Sequence, residues 1–157
     1  MHEHLSKNED LKTLKMKIKE ITSYQKETKT IIDDFLKLLI NKNASISESM
    51  TKNLIASDNS HLFFAFDESE NCMGMLTLGI YVSPSGKKAW VEDVTVAESY
   101  QGRGIGGKMM KFAINFAKER HVKLLMLTSN PKRVAANSLY KKIGFDKKET
   151  NVYNMIL

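Results

Sequence analysis

The chain has 157 residues, 42% of them hydrophobic and 27% charged, which suits one soluble domain with its own core, and no apolar run reaches the roughly 18 to 20 residues of a membrane-spanning helix. Its formal net charge of +6 comes from dispersed lysines, without an arginine-rich block interleaved with aromatic residues, so we predict no binding to nucleic acid or to a membrane. The single cysteine, Cys72, excludes an internal disulfide and suits a reducing cytoplasm, where we expect the protein to act.

The N-terminal half of the chain alternates between strand and helix patterns. Residues 1–14 are polar and unpatterned, which predicts an extension ahead of a single domain at 15–157. In chain order, the predicted elements are a strand at 16–21, a helix around 31–40, a short helix at 47–57, and strands at 61–66 and 73–81. Ser47 is a suitable N-cap for the second helix.

The C-terminal half places two helices among further strands. In chain order, the predicted elements are a strand at 90–96, a glycine-rich run, a helix to Arg120, a buried strand at 123–128, a helix from Pro131 to Ile143, and last strands at Phe145 and 152–157. Asn130 is a suitable N-cap for the last helix, and Gly144 is predicted to end it in a left-handed conformation.

The glycine-rich run between strand and helix is the most informative segment, and it reads Gln101-Gly102-Arg103-Gly104-Ile105-Gly106-Gly107-Lys108. Such a turn frees backbone N–H groups and directs them at one spot, together with the positive end of the helix dipole. The alternative is a flexible turn without a ligand. Four glycines in six residues at a strand–helix junction favour a phosphate or pyrophosphate site.

Two nucleotide-binding patterns overlap this run, but each lacks a residue that its ligand requires. The dinucleotide fingerprint needs an acidic residue about 20 positions later, but residues 123–128 contain none. A P-loop needs a hydroxyl for magnesium directly after the lysine, where this chain has Met109.

A third pattern, Gln/Arg-x-x-Gly-x-Gly/Ala, is met by Gln101, Gly104 and Gly106. Here the sequence resembles the GNAT family of N-acetyltransferases. The segment 91–96 looks like the central strand of that family, and 137–145, which reads NSLYKKIGF, looks like its second signature. The resemblance implies a mixed α/β fold, with a mostly antiparallel sheet of about six or seven strands flanked by about four helices.

The resemblance also implies acetyl-CoA as the cosubstrate. The residues expected to hold it are Val94, Thr95 and Val96 along the pantetheine, Gln101, Gly102, Arg103, Gly104, Ile105, Gly106, Gly107 and Lys108 around the pyrophosphate, and Asn130, Arg133, Asn137 and Tyr140 on and before the last helix. A modest positive field would also favour an anionic molecule such as CoA.

Two residues are candidates for proton transfer. Tyr140 lies beside an apolar helical stripe and would otherwise read as a packing residue, but it matches the tyrosine that GNAT enzymes often use to protonate the departing CoA thiolate. Glu92 is an acid within a mostly apolar strand, where we expect it to share one face with Trp90, Val94 and Val96. Glu92 either accepts the proton of the acceptor ammonium or holds a loop or a substrate cation.

We therefore predict an acetyl-CoA-dependent N-acetyltransferase that moves the acetyl group directly to a primary amine of a small molecule. The alternatives are a protein N-terminal or lysine acetyltransferase and a non-catalytic acyl-CoA-binding regulatory module. The four histidines show no metal-ligand spacing, so we predict no metal. The sequence is compatible with a homodimer, and it does not identify the acceptor.

Overall fold

One sheet organises the part of the chain that the structure, a computed structural model, describes: residues 15–157. The predicted extension at 1–14 lies outside these described residues. The strands of the sheet are β1 (Lys17–Glu20), β2 (Ser60–Phe66), β3 (Cys72–Ser83), β4 (Gly86–Val96) and β5 (Leu124–Leu127). They lie side by side in chain order. The first four strands are antiparallel neighbours, and β5 runs parallel to β4.

Helices cover both faces of this sheet. They are α1 (Lys26–Leu39), α2 (Glu48–Ile55), α3 (Ile105–Glu119) and α4 (Val134–Lys142). The predicted cap of α2 is confirmed, because the Ser47 hydroxyl accepts a hydrogen bond of 3.1 Å from the Met50 N–H. Among the described residues, no helix combines the length and apolar character needed to cross a membrane.

Two apolar clusters, one on each face of the sheet, form the core. On the α1 face, Ile32 and Phe35 pack with Leu62, Phe64 and Met75. On the α3 face, the larger cluster contains Phe63, Leu76, Leu78, Ala89, Val91, Met109, Met110, Ala113 and Phe116. Because alternate residues of β2 and β3 face opposite clusters, these central strands read as nearly continuous apolar runs.

A bulge in β4 overturns one sequence prediction. Thr77 pairs with Glu92 and Met75 pairs with Thr95, so that Leu76 alone faces both Asp93 and Val94. Asp93 has a φ of +56°, in the left-handed region. An extra residue reverses the alternation of side chains along the strand.

The prediction that Trp90, Glu92, Val94 and Val96 share one face is therefore wrong beyond the bulge. Glu92 and Thr95 lie on the face of Met75, which belongs to the α1 cluster. Val94 and Val96 pack instead against the α3 cluster.

The last helix begins later than predicted, at Val134 instead of Pro131. Asn130 closes a turn first, because its side-chain oxygen accepts from the Lys132 N–H at 2.9 Å and its carbonyl accepts from the Arg133 N–H at 3.0 Å. The other end is as predicted, since Gly144 has a φ of +102° after the helix.

The expected strands at Phe145 and 152–157 do not form. Residues 145–157 have no regular structure, and the sheet of the described residues ends at β5 with five strands instead of six or seven. The segment 152–157 is largely apolar, but its side chains are at least 72% exposed at Val152, Tyr153, Met155, Ile156 and Leu157, so it lacks the strand partner and the buried face that a strand needs. The predicted class, a mixed α/β fold with four helices and a mostly antiparallel sheet, is confirmed.

Two glycines of β3 provide a matched stability test. A Cβ at Gly74 would lie 2.7 Å from Sδ of Met109 and 3.0 Å from the carbonyl oxygen of Thr95, whereas a Cβ at Gly79 would meet nothing within 4 Å. Gly74→Ala should therefore lower the free energy of unfolding by about 1 to 3 kcal/mol through overpacking. Gly79→Ala should leave it unchanged or raise it by up to about 1 kcal/mol, because alanine loses less backbone entropy than glycine on folding. Urea denaturation measures both, and equal effects of the two changes would contradict the packing described here.

Candidate functional site

The main cavity among the described residues lies where β4 and β5 diverge. The two strands pair only as far as Val91 and Leu127. Beyond that pair a cavity of about 730 Å³ lies between the end of β4 and the segment that follows β5. Its walls include Leu38, Leu39, Thr95, Val96, Gln101, Thr128, Ser129, Asn130 and Arg133. Because the edge of residues 94–96 that faces this cavity pairs with no described strand, an extended ligand could bind to it as an added strand.

The glycine-rich run forms a tight loop at the start of α3. Gly102 and Gly104 have φ angles of +74° and +77°, a conformation that side-chain-bearing residues rarely adopt. Ile105, Gly106 and Gly107 are the first residues of the helix, so their N–H groups have no acceptor within it. Free N–H groups at the positive end of a helix dipole are the features by which such loops bind anions.

Two side chains fix the position of this loop. The Gln101 side-chain amide donates a hydrogen bond of 3.0 Å to the carbonyl of Val96, which ties the loop to the end of β4. The Tyr100 hydroxyl donates to Asp67 at 2.8 Å, which ties it to the turn between β2 and β3. Hydrogen bonds from Asn71 and Tyr100 lower the pKa of Asp67 to about 2. The loop is thus held from two sides before any ligand binds.

Helix α4 packs against the same loop. A Cβ at Gly107 would lie only 3.3 Å from a methyl group of Leu139, so the missing side chain allows the two helices to approach closely. The Arg133 guanidinium lies 3.4 Å from the carbonyl of Val94, to which it donates. The Asn137 amide donates to the carbonyls of Asn130 and Arg133, both at 2.9 Å. Asn137 therefore shapes the turn before α4.

Tyr140 lies deeper than the other predicted site residues. It is 6% exposed, belongs to the α3 cluster and contacts the ring of Phe145 edge to face. Burial raises the pKa of its phenol, and the positive charge of Arg133 opposes that rise. Tyr140 is not among the residues that line the two cavities described here.

A second cavity of about 520 Å³ adjoins the first and contains Glu92. The two cavities share Thr128 and Val152 as lining residues. Glu92 takes part in none of the salt bridges among the described residues. Partial desolvation, followed by the charge of Asp93, raises the pKa of the Glu92 carboxyl. The predicted base thus faces a space beside the main cavity.

Ser129 is a wall residue that sequence reasoning missed. Its hydroxyl oxygen is buried and has no hydrogen-bond partner among the described residues. A buried unpaired hydroxyl is unfavourable unless a water molecule or a ligand satisfies it. Ser129 belongs to neither of the two motifs, so no signal in the sequence marks it.

Comparison with known proteins gives a family match and several partial relatives. The family described as "Acetyltransferase (GNAT) family" matches residues 27–145. A mycothiol acetyltransferase of Renibacterium salmoninarum is 30% identical over 90 residues, which are 56% of this chain and 27% of that protein. Streptothricin acetyltransferase A of Bacillus subtilis is 32% identical over 82 residues, 52% of this chain and 46% of that protein. The chain therefore spans less than half the length of these two relatives.

Solved structures share the fold over nearly the whole chain. An aminoglycoside acetyltransferase from an uncultured soil metagenomic sample, in complex with trehalose, has a TM-score of 0.77 at 18% identity and covers 94% of this chain and 100% of its own. Aminoglycoside N-acetyltransferase AAC(6')-Iy in complex with CoA has a TM-score of 0.75 at 15% identity and covers 91% and 95%. A transcriptional regulator from Bacillus halodurans has a TM-score of 0.76 at 23% identity and covers 91% and 100%. At these identities the likeness concerns the fold.

Proposed function

We propose that this chain, which belongs to the acetyltransferase (GNAT) family, transfers the acetyl group of acetyl-CoA directly to a primary amine of a small molecule. The observation that carries the proposal is the cleft where β4 and β5 part, which has an anion-binding loop beside it and a carboxylate in the adjoining cavity. A ternary complex of this kind needs no covalent enzyme intermediate.

The donor set of the cleft fits acetyl-CoA. The amides of residues 102–107 suit a pyrophosphate, with Gln101 fixing the loop. The edge of residues 94–96 suits the amide-bearing pantetheine arm, and the unpaired hydroxyl of Ser129 suits a polar group along it. Bound there, acetyl-CoA would supply the acetyl thioester.

Further residues of the cleft have supporting roles in this proposal. Asn130 and Arg133 line the main cavity, and Asn137 holds the turn on which they lie. Arg103 and Lys108 add positive charge to the loop that would receive the pyrophosphate.

In this proposal Glu92 acts as the general base and Tyr140 as the general acid. The acceptor arrives as an ammonium ion, and Glu92 accepts its proton, directly or through water. The free amine then forms a C–N bond to the acetyl carbon as the C–S bond breaks, and Tyr140 gives its proton to the departing sulfur. The nitrogen loses its second proton to water, and water returns a proton to Tyr140. A raised pKa makes Glu92 a stronger base than an ordinary carboxylate, while burial keeps Tyr140 protonated at neutral pH.

Ligand binding tests the cofactor assignment first. Acetyl-CoA and CoA should raise the melting temperature, while ATP with magnesium and NAD should not. Gly104→Asp should abolish this stabilisation, because the residue has a φ of +77° and a carboxylate there would repel the pyrophosphate. Gly86→Asp is the matched control, since it introduces the same charge at a φ of +120° in the turn between β3 and β4. Stabilisation by ATP and not by CoA would contradict the assignment.

The role of Tyr140 is tested by removing its hydroxyl. Tyr140→Phe keeps the ring and its contact with Phe145, so the melting temperature and the affinity for CoA should hold. The turnover number should fall on the order of 10²-fold, as expected for the loss of one general acid. Tyr153→Phe, which changes a phenol that is 87% exposed, should have no effect. An unchanged turnover number, measured where chemistry limits the rate, would leave Tyr140 with a packing role.

The role of Glu92 is tested through the pH profile. Because the pKa of Glu92 is raised and the ionised form is the base, kcat/KM should increase with pH through a limb that lies above the usual range of a glutamate. Glu92→Gln should remove that limb, whereas Glu119→Gln, a change of an exposed residue on α3, should keep it. If Glu92 only holds the cation, Glu92→Gln should raise KM and keep the limb. A wild-type limb together with a wild-type KM would exclude both roles.

A further inference from the structure

We propose that the acceptor binds on the sheet face over Gly79, beside Trp90 and Tyr81 and with its ammonium at Glu92, and that this site selects a monocationic amine with a flat apolar body. This inference rests on the proposed function and names the class of its acceptor. The second cavity supplies the place, since all four residues line it.

Gly79 leaves an unfilled position on one face of the sheet. It pairs with Trp90 and lies on the same face as Met75 and Thr77, because alternate residues of β3 share a face. A Cβ there would meet nothing within 4 Å, whereas a Cβ at Gly74 would collide with Met109 and with the backbone. Gly74 is therefore required by packing, and Gly79 is not. The bare backbone at Gly79 therefore leaves space in which a ligand can lie against the sheet.

The walls of this space favour a flat apolar partner. Trp90 and Tyr81 lie on the same face as Gly79, one across the strand pair and one two residues along β3. Tyr81 is 40% exposed, so the cavity offers it uncovered aromatic surface. Aromatic rings gain from stacking and edge contacts with other rings, and from a cation over their faces.

The charges around the cavity favour one positive group. Glu92 is the only carboxylate among the residues that line this cavity, and the lining includes no lysine or arginine. An acceptor with a phosphate close to its amine would therefore be repelled by Glu92. Lys88 pairs with Tyr81 and so lies on this face at the far side of Trp90 from Glu92. A second positive charge on the acceptor would be brought towards Lys88 and repelled.

A panel of amines tests the acceptor class. With saturating acetyl-CoA, kcat/KM is measured by thiol release for tryptamine, 2-phenylethylamine, propylamine, spermidine, kanamycin, glucosamine 6-phosphate and a lysine-containing peptide. The two arylethylamines should exceed each of the others by at least about tenfold, since the rings supply apolar contact that the other acceptors lack. A preference for kanamycin, spermidine, the phosphorylated sugar or the peptide would overturn the inference.

Variants of β3 test the location. Gly79→Leu fills this part of the cavity and should raise the KM of the best arylethylamine at least about tenfold, with the melting temperature and the affinity for acetyl-CoA unchanged. Gly79→Ala should raise the same KM by a smaller factor, and this variant serves as the test if the leucine variant does not fold. Val82→Leu is the matched control, because Val82 lies in the same strand, is 76% exposed and is not a lining residue.

The outcomes separate this inference from the proposed function. Acetylation of any amine with a wild-type KM in both Gly79 variants would overturn the inference and leave the acetyltransferase function standing. Acetyl-CoA binding with no thiol release for any amine would overturn the function, and the inference with it.

Discussion

The extra residue in β4 is the constraint on which the site depends. Because Asp93 and Val94 together oppose Leu76, the strand turns Glu92 and Thr95 to one face and Val94 and Val96 to the other. A regular strand would have turned Thr95 to the α3 face, and Val94 and Val96 to the α1 face. The bulge thus lets one strand carry the carboxylate of one cavity and the polar wall of the next, while its valines still anchor it to α3.

The position of the loop between β4 and α3 depends on that strand. Gln101 binds the carbonyl of Val96, and Arg133 of the turn before α4 binds the carbonyl of Val94. Gly107 allows Leu139 to approach the first turn of α3. The glycine-rich loop, the end of β4 and α4 are therefore one packed unit, which holds the first turn of α3 beside the cleft without a bound ligand to organise it.

What the sequence predicted well was local. The loop at 101–108, the Ser47 cap and the left-handed Gly144 each follow from a residue type and its immediate neighbours. The bulge was missed because a single extra residue is visible only against the partner strand, and Asp93 is not the glycine that usually marks such a conformation. The strands expected at Phe145 and 152–157 depend on a partner and a buried face that composition alone does not supply. The open space at Gly79 and the unpaired hydroxyl of Ser129 are also properties of tertiary packing, which no motif encodes.

In the proposed reaction, the net charge of the protein and the carboxylate of Glu92 act differently on the two substrates. The net charge of +6 favours the approach of a polyanion such as CoA and disfavours that of a polycation, and salt weakens both effects. The Glu92 carboxylate acts only nearby, since screening at physiological salt limits the interaction of exposed charges to about 8 Å. A single ammonium experiences the local attraction in full and only modest general repulsion. For a polycation, each further positive charge adds repulsion and finds no second carboxylate in the cavity. In the reaction proposed above, one carboxylate on a basic protein therefore favours a monocationic acceptor, independently of the shape of the cavity.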